Sequence, residues 1–179
     1  MPHPGQTLED PDTHAVARFV ATADSSDGEA VVLELETPPG WTAGPLHEHP
    51  EQVERIEVLS GRLVAWIEHD AGLCTRGEDL TLAPGTPHTV ENPGPAPARL
   101  RVEFSPALRS DRLFERMYGG GVGSHPLSLL PAGLRAWLES RGFGEEIHYL
   151  WPRRALLAAL CAAVAAVTLP AWRRSASAG

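Results

Sequence analysis

Residues 44–70 read GPLHEHPEQVERIEVLSGRLVAWIEHD, and this stretch decides the fold. His47 and His49 are two apart, so on an extended strand both imidazoles lie on one face. Glu54 is five residues beyond His49, an odd offset that would turn it to the opposite face of an unbroken strand. Pro50, followed by Glu51 and Gln52, supplies a break. The chain can then re-enter with Glu54 inward, and Ile56 and Val58 follow it into the core. Ser60-Gly61 ends that strand with a turn, and the stretch holds two or three short strands.

Working outward, Ala30–Glu36 (AVVLELE) is a β-branched strand candidate closed by Pro38-Pro39-Gly40. Ala15–Thr22 (AVARFVAT) suits an earlier strand, and 23–29 (ADSSDGE) a turn. Downstream, LCTRGEDLTLAPGTPHTVENPGP holds another strand, a Pro-Gly turn and the start of a further strand at His88. Ala98–Phe104 alternates cleanly, with Leu100, Val102 and Phe104 on one face and Arg99, Arg101 and Glu103 on the other. Strands separated by turn signals, without helices between them, predict an antiparallel sandwich or barrel. The 17 glycines and 17 prolines fit many turns and short strands better than a helical bundle.

Three imidazoles and one carboxylate, His47, His49, Glu54 and His88, suit a divalent first-row ion and leave one or two coordination positions for water, oxygen or substrate. Fe, Mn, Ni, Zn and Cu all accept this donor set. Glu51 and Glu57 are rival carboxylates: Glu51 sits in the turn and Glu57 has the wrong parity. From His47 the spacing is H-x-H-x4-E-x6-G, ending at Gly61; from Gly77 it is G-x5-A-x-G-x2-H-x3-N, through Ala83, Gly85, His88 and Asn92. The two motifs, in this order, resemble the signature motifs of the cupin superfamily, in its small type-2 form, over roughly residues 30–105. Two positions depart from the pattern. Ala83 stands where proline is usual, with Pro84 beside it, and the glycine that opens the first motif is displaced to Gly40.

The resemblance implies a mainly β fold, a double-stranded β-helix or jelly-roll barrel with a metal on three His and one Glu, and Asn92 holding a turn. It also implies a range of activities: dioxygenase, isomerase or polyketide cyclase. Glu54, if labile, is a candidate proton acceptor. The alternative is a non-catalytic binding or sensor module with a metal-supported barrel. A third reading makes the metal structural and gives the work to the C-terminal segment. The substrate or ligand is expected to be a small organic molecule, and a homodimer is a further expectation.

The organisation read from sequence is a leader at 1–14, a barrel at 15–105, a helical extension at 106–152 and an apolar helix with tail at 153–179. Leu108, Leu113 and Met117 have helical spacing, and 127–142 is a second helical stretch. Trp41, Phe114 and Met117 are placed to pack across the barrel mouth. Between Arg153-Arg154 and Arg173-Arg174 no residue is charged. Leu156, Leu157, Leu160, Val164 and Val167 fall on one face of a helix, which favours docking on the barrel or a partner subunit over membrane contact through 153–174.

The net charge of −8 argues against nucleic acid, since phosphate binding needs a basic patch. All 15 basic side chains besides His are arginine, so no lysine is present to form a Schiff base. Cys74 and Cys161 have no CxxC spacing, and a disulfide framework is not expected. His69 beside Asp70 suits a hairpin tip, and His3, His14, His125 and His148 lack partner spacing. The first residues lack the basic and apolar regions of a signal peptide, which makes a cytoplasmic address the expectation.

Overall fold

The computed structural model describes residues 1–10, 13–118, 138 and 140–150. Its strands are β1 (Thr7–Glu9), β2 (Val16–Ala21), β3 (Val31–Thr37), β4 (His47–Glu48), β5 (Val53–Ser60), β6 (Arg62–Ile67), β7 (Asp70–Thr75), β8 (Asp79–Leu82), β9 (His88–Glu91), β10 (Ala98–Ser105) and β11 (His148–Tyr149). The α-helix α1 (Ser110–Tyr118) follows the main run of strands. The fold is mainly β, as the turn-punctuated sequence predicts.

The strands form two antiparallel sheets. One has six strands in the order β1-β2-β3-β10-β5-β8, and the other five in the order β11-β4-β9-β6-β7. No ladder among the described residues joins the two, so the arrangement is a jelly-roll of two facing sheets and not a closed barrel. Strand alternation places the core between them. On β10, Ala98, Leu100, Val102 and Phe104 are buried, and on β3 so are Val31, Leu33 and Leu35. These two strands pair along their full length, from Ala98↔Thr37 to Phe104↔Val31. Fully burying each such aliphatic side chain stabilises by about 1.5–3 kcal/mol.

Gly61 is fixed by packing as well as by its backbone. Its φ is +81°, and a Cβ there would lie 2.8 Å from Ala98 Cβ. The β5–β6 turn therefore presses directly on the start of β10, and only glycine fits.

Two features differ from the sequence reading. Residues 7–9 of the expected leader form β1, an edge strand paired with β2 from Thr7↔Arg18 to Glu9↔Val16. A three-residue strand is too short to show alternation. His148–Tyr149, in the expected helical extension, form β11 and pair with β4. The first expected helix is present as α1, whereas most of the second and the whole 153–174 segment lie outside the described residues. Among the described residues no helix is long and apolar enough to cross a membrane.

Candidate metal centre

The four side chains singled out by spacing converge between the two sheets. His47 lies on β4 and His88 on β9, and the two are direct cross-strand partners. His49 follows β4 immediately. Glu54 comes from the opposite sheet, on β5, between Phe104 of β10 and Leu82 of β8. The Pro50 break works as the parity argument requires: Gln52, Glu54, Ile56 and Val58 are all buried on one row. Glu51 is exposed and Glu57 points outward to Arg101, so neither rival carboxylate reaches the site.

One ligand atom from each of His47, His49, Glu54 and His88 can be chosen so that all lie within 4.8 Å of one another. Bonds of about 2.1 Å to a common ion put ligand atoms up to about 4.2 Å apart, so a small inward movement closes the cluster on a cation. All four residues are at least 94% buried, since their exposures are 5%, 5%, 6% and 1%.

Hydrogen bonding fixes which imidazole nitrogen faces the centre. His47 Nδ1 meets the Pro45 carbonyl at 2.9 Å and His88 Nδ1 meets that of Thr86 at 2.8 Å. His49 Nδ1 meets the Glu146 carbonyl. A carbonyl only accepts, so each Nδ1 carries the proton and, in the neutral ring, each Nε2 presents a lone pair. His49 Nε2, His88 Nε2 and Glu54 Oε2 are buried without an aligned hydrogen-bond partner. Yet Glu54 Oε2 lies 2.7 Å from His88 Nε2 and 3.2 Å from His49 Nε2. Lone pairs at that separation repel unless a positive charge lies among them, and a buried polar atom left unmet costs about 1–3 kcal/mol.

The electrostatics point the same way. Burial pushes the Glu54 carboxyl up, but the His49 and His88 imidazoles outweigh it and hold the group well below the usual range. Burial works against a charged His88, and the Glu54 carboxylate overcomes it and raises the imidazole. His47 is held neutral, down to about 4, by burial first and then by His88 and His49. The pocket thus calls for a cation, either a proton between His88 and Glu54 or a metal ion. The donor set fits the metal.

Second-motif residues support this frame. Gly85, with φ +72°, donates its N–H to the His49 carbonyl at 2.9 Å and ties the turn before His88 to the first motif. Asn92 is 1% exposed. Its amide nitrogen meets the carbonyls of Thr37, Pro38 and Ala96 at 3.0–3.1 Å, and its oxygen accepts from Gly94 N–H at 2.9 Å. It binds turns together and lies off the cluster. Ala83 is exposed and lies off the cluster, and Trp41, next to the displaced Gly40, is buried.

A cavity of ≈ 70 Å³ opens beside the cluster. Trp41, Phe114 and Met117, placed at the mouth by sequence, do line it, along with Leu113 and Tyr118 of α1. Ile147 and Tyr149 complete the wall, and the Tyr149 ring lies 5.7 Å from that of His47. Sequence reasoning missed these two, because a two-residue strand carries no periodic signal. Burial pushes the Tyr118 phenol up, with Asp10 and Tyr149 adding to it, so Tyr118 stays neutral at ordinary pH. His69 and His14 are exposed, and His148 faces Glu48 at 3.5 Å, outside the cluster. Cys74 is a free, half-buried thiol that burial, Glu78 and Asp79 all push up, which makes it a poor nucleophile.

A jelly-roll of two sheets with a buried His, His, Glu, His cluster between them defines a class of proteins, and the family comparison agrees with it. Residues 33–104 match the family model Cupin_2, the cupin domain. Over these residues the chain carries a cupin domain. It is similar in fold to many solved structures, of which three serve as examples. An RmlC-like cupin from Shewanella frigidimarina is 19% identical, with 62% of this chain and 94% of that one covered and a TM-score of 0.51. KdgF from Halomonas is 17% identical, covering 60% and 92%, with a TM-score of 0.51. A predicted oxalate decarboxylase from Thermotoga maritima is 17% identical, covering 57% and 91%, again at 0.51. No curated protein matches the chain.

Proposed function

We propose that this chain is a metal-binding cupin that takes a small organic molecule onto a divalent transition metal held by His47, His49, Glu54 and His88. The observation that carries this reading is the set of buried inward atoms on His49, His88 and Glu54 that meet only one another. Fe, Mn, Ni, Zn and Cu are all compatible with three imidazoles and one carboxylate. Such an ion, when bound, supplies Lewis-acid polarisation of an oxygen ligand and, if Fe(II), oxygen chemistry.

The cavity wall narrows the ligand. Apart from the cluster itself, its lining among the described residues has no charged side chain; Ser110, Tyr118 and Tyr149 are the polar groups there, and the rest is aliphatic, aromatic or Met117. A phosphate or a second carboxylate would find no arginine among these described residues. The ligand is therefore a small, mostly apolar molecule that offers its oxygen donors to the metal. In the enzyme reading, of dioxygenase, isomerase or cyclase type, Glu54 is the candidate proton acceptor, and Tyr118 and Tyr149 are protic groups on the wall. The scarcity of such groups favours a second reading, a binding or sensor module in which the molecule is held without turnover.

Calorimetric titration of metal-loaded protein with catechol, a flat apolar oxygen chelator, tests the site. Catechol is expected to bind the loaded protein and not the metal-free protein, and glucose 6-phosphate to bind neither. Sugar phosphate binding without catechol binding defeats the ligand assignment. Loss of catechol over many turnovers in air favours the enzyme, and stable stoichiometric binding favours the module.

A further inference from the structure

We infer that residues 140–150, latched by the Arg109–Glu146 ion pair, belong to the metal centre as a strap that positions His49. The inference rests on the metal reading above. It concerns residues that lie beyond the matched cupin domain, which ends at 104.

Two of the imidazoles are oriented locally. His47 and His88 each meet the carbonyl two residues before them, at Pro45 and Thr86. His49 has no such local partner; its Nδ1 meets the carbonyl of Glu146, 97 residues away in sequence. That carbonyl sets which His49 nitrogen faces the ion, so whatever holds Glu146 also holds the ligand.

Glu146 is held by Arg109. The Glu146 side chain is 0% exposed, and its Oε1 accepts from Arg109 Nε at 3.0 Å and from the Arg109 backbone N–H at 3.2 Å. Its Oε2 accepts from the guanidinium at 3.3 Å. The same guanidinium donates to the Gly142 carbonyl at 2.8 Å and sits over the Phe143 ring, 5.1 Å from its centroid. One arginine thus gathers three points of the strap. The strap then pairs with the ligand strand: Tyr149 opposes His47, and Leu150 N–H donates to the Leu46 carbonyl at 2.9 Å. Ile147 and Tyr149 close the cavity wall.

A buried carboxylate that loses its cation is strongly unfavourable. Without Arg109, the strap has reason to leave the sheet, and His49 is then free to turn its ring. Arg109 and Glu146 act through His49 and are positioning residues.

The test is Co(II) titration of the full chain, read by affinity and by the visible Co(II) absorption, in wild type, Glu146→Gln, Arg109→Ala and Arg109→Lys. Glu146→Gln keeps the backbone carbonyl and removes only the ion pair. It and Arg109→Ala are expected to weaken Co(II) by about 10–100-fold, the usual range for outer partners of metal ligands, and to change the absorption. Arg109→Lys, which keeps the charge and loses the fork, is expected to fall between them and wild type. In a His49→Ala background, Glu146→Gln is expected to leave the residual affinity unchanged, a result that a purely structural role does not give. If Glu146→Gln binds Co(II) like wild type, or weakens it equally in the His49→Ala background, the strap has no positioning role. A wild type that takes up no Co(II) defeats the metal reading itself, and this inference with it.

Discussion

Glu34 and Glu54 sit on opposite faces of the six-stranded sheet, and each is ringed by basic side chains. Glu34 faces outward from β3. Its register partners are Arg18 on β2 and Arg101 on β10, with oxygen to nitrogen distances of 2.8 and 3.1 Å, and Arg99 lies 3.6 Å away. Glu54 faces inward among His47, His49 and His88. Both carboxyls are held below their usual range, Glu34 by Arg18 and then Arg101, Glu54 by the imidazoles against the opposing effect of burial. The outer partners are permanent cations that lie half-exposed to solvent. The inner partners are imidazoles whose proton is already given to a backbone carbonyl. The outer cluster is complete without a ligand, and the inner one is complete only with a cation.

The largest break in this comparison is Glu54→Gln. It is expected to lower metal affinity by more than the ~100-fold that outer partners cost, as measured by competition with a chelator. Its metal-free stability is expected to equal or exceed that of wild type, because the Gln amide can donate to the imidazole lone pairs that now lack partners. A metal-free Glu54→Gln protein that melts well below wild type would show that the inner cluster is complete by itself.

Metal addition comes next. At a free concentration about 100 times Kd, binding to the native state stabilises by about 2.7 kcal/mol. Thermal or denaturant unfolding is expected to show this gain in wild type and in Glu34→Gln, and not in Glu54→Gln. A gain in Glu54→Gln as well would place the metal elsewhere.

Glu34→Gln tests the outer face. Water around the half-exposed arginines limits the expected loss to about 1 kcal/mol or less. The sign of its pH dependence follows from the lowered pKa. The carboxylate's contribution is fully present above the ordinary value of 4.5 and is lost as pH falls through the lower folded value. The gap in stability between wild type and Glu34→Gln is therefore expected to be constant above pH 4.5 and to close below it. A gap that widens on acidification contradicts the assignment. Arg99→Ala, which removes the most distant and a 56% exposed partner, is expected to change stability by no more than about 0.5 kcal/mol.

The inner cluster was far more legible in sequence than its surroundings, for physical reasons. Strand parity is a local rule, so His47, His49 and the Pro50 break that turns Glu54 inward can be read from eight consecutive residues. Gly61 and Gly85 mark turns that the backbone itself demands, and β10 alternates across its whole length. By contrast, β1 and β11 owe their existence to the strands beside them: three and two residues are too few to carry a period. The Glu146 carbonyl that orients His49 is a backbone atom, which no side-chain pattern announces. Arg109 and Glu146 lie 37 positions apart, and only the fold brings them together. The apolar character of the cavity depended on which side of α1 faces the sheets, and spacing predicted that face through Phe114 and Met117. The two tyrosines on the cavity wall, Tyr118 and Tyr149, gave no such signal.

The claim that the inner cluster is a metal centre is tested most directly by metal content. Wild type and the His47→Ala, His49→Ala double variant, purified without added metal and without chelating resin, can be compared by elemental analysis. The account predicts about one transition-metal ion per wild-type chain and almost none in the variant. Equal metal content in the two proteins would contradict it.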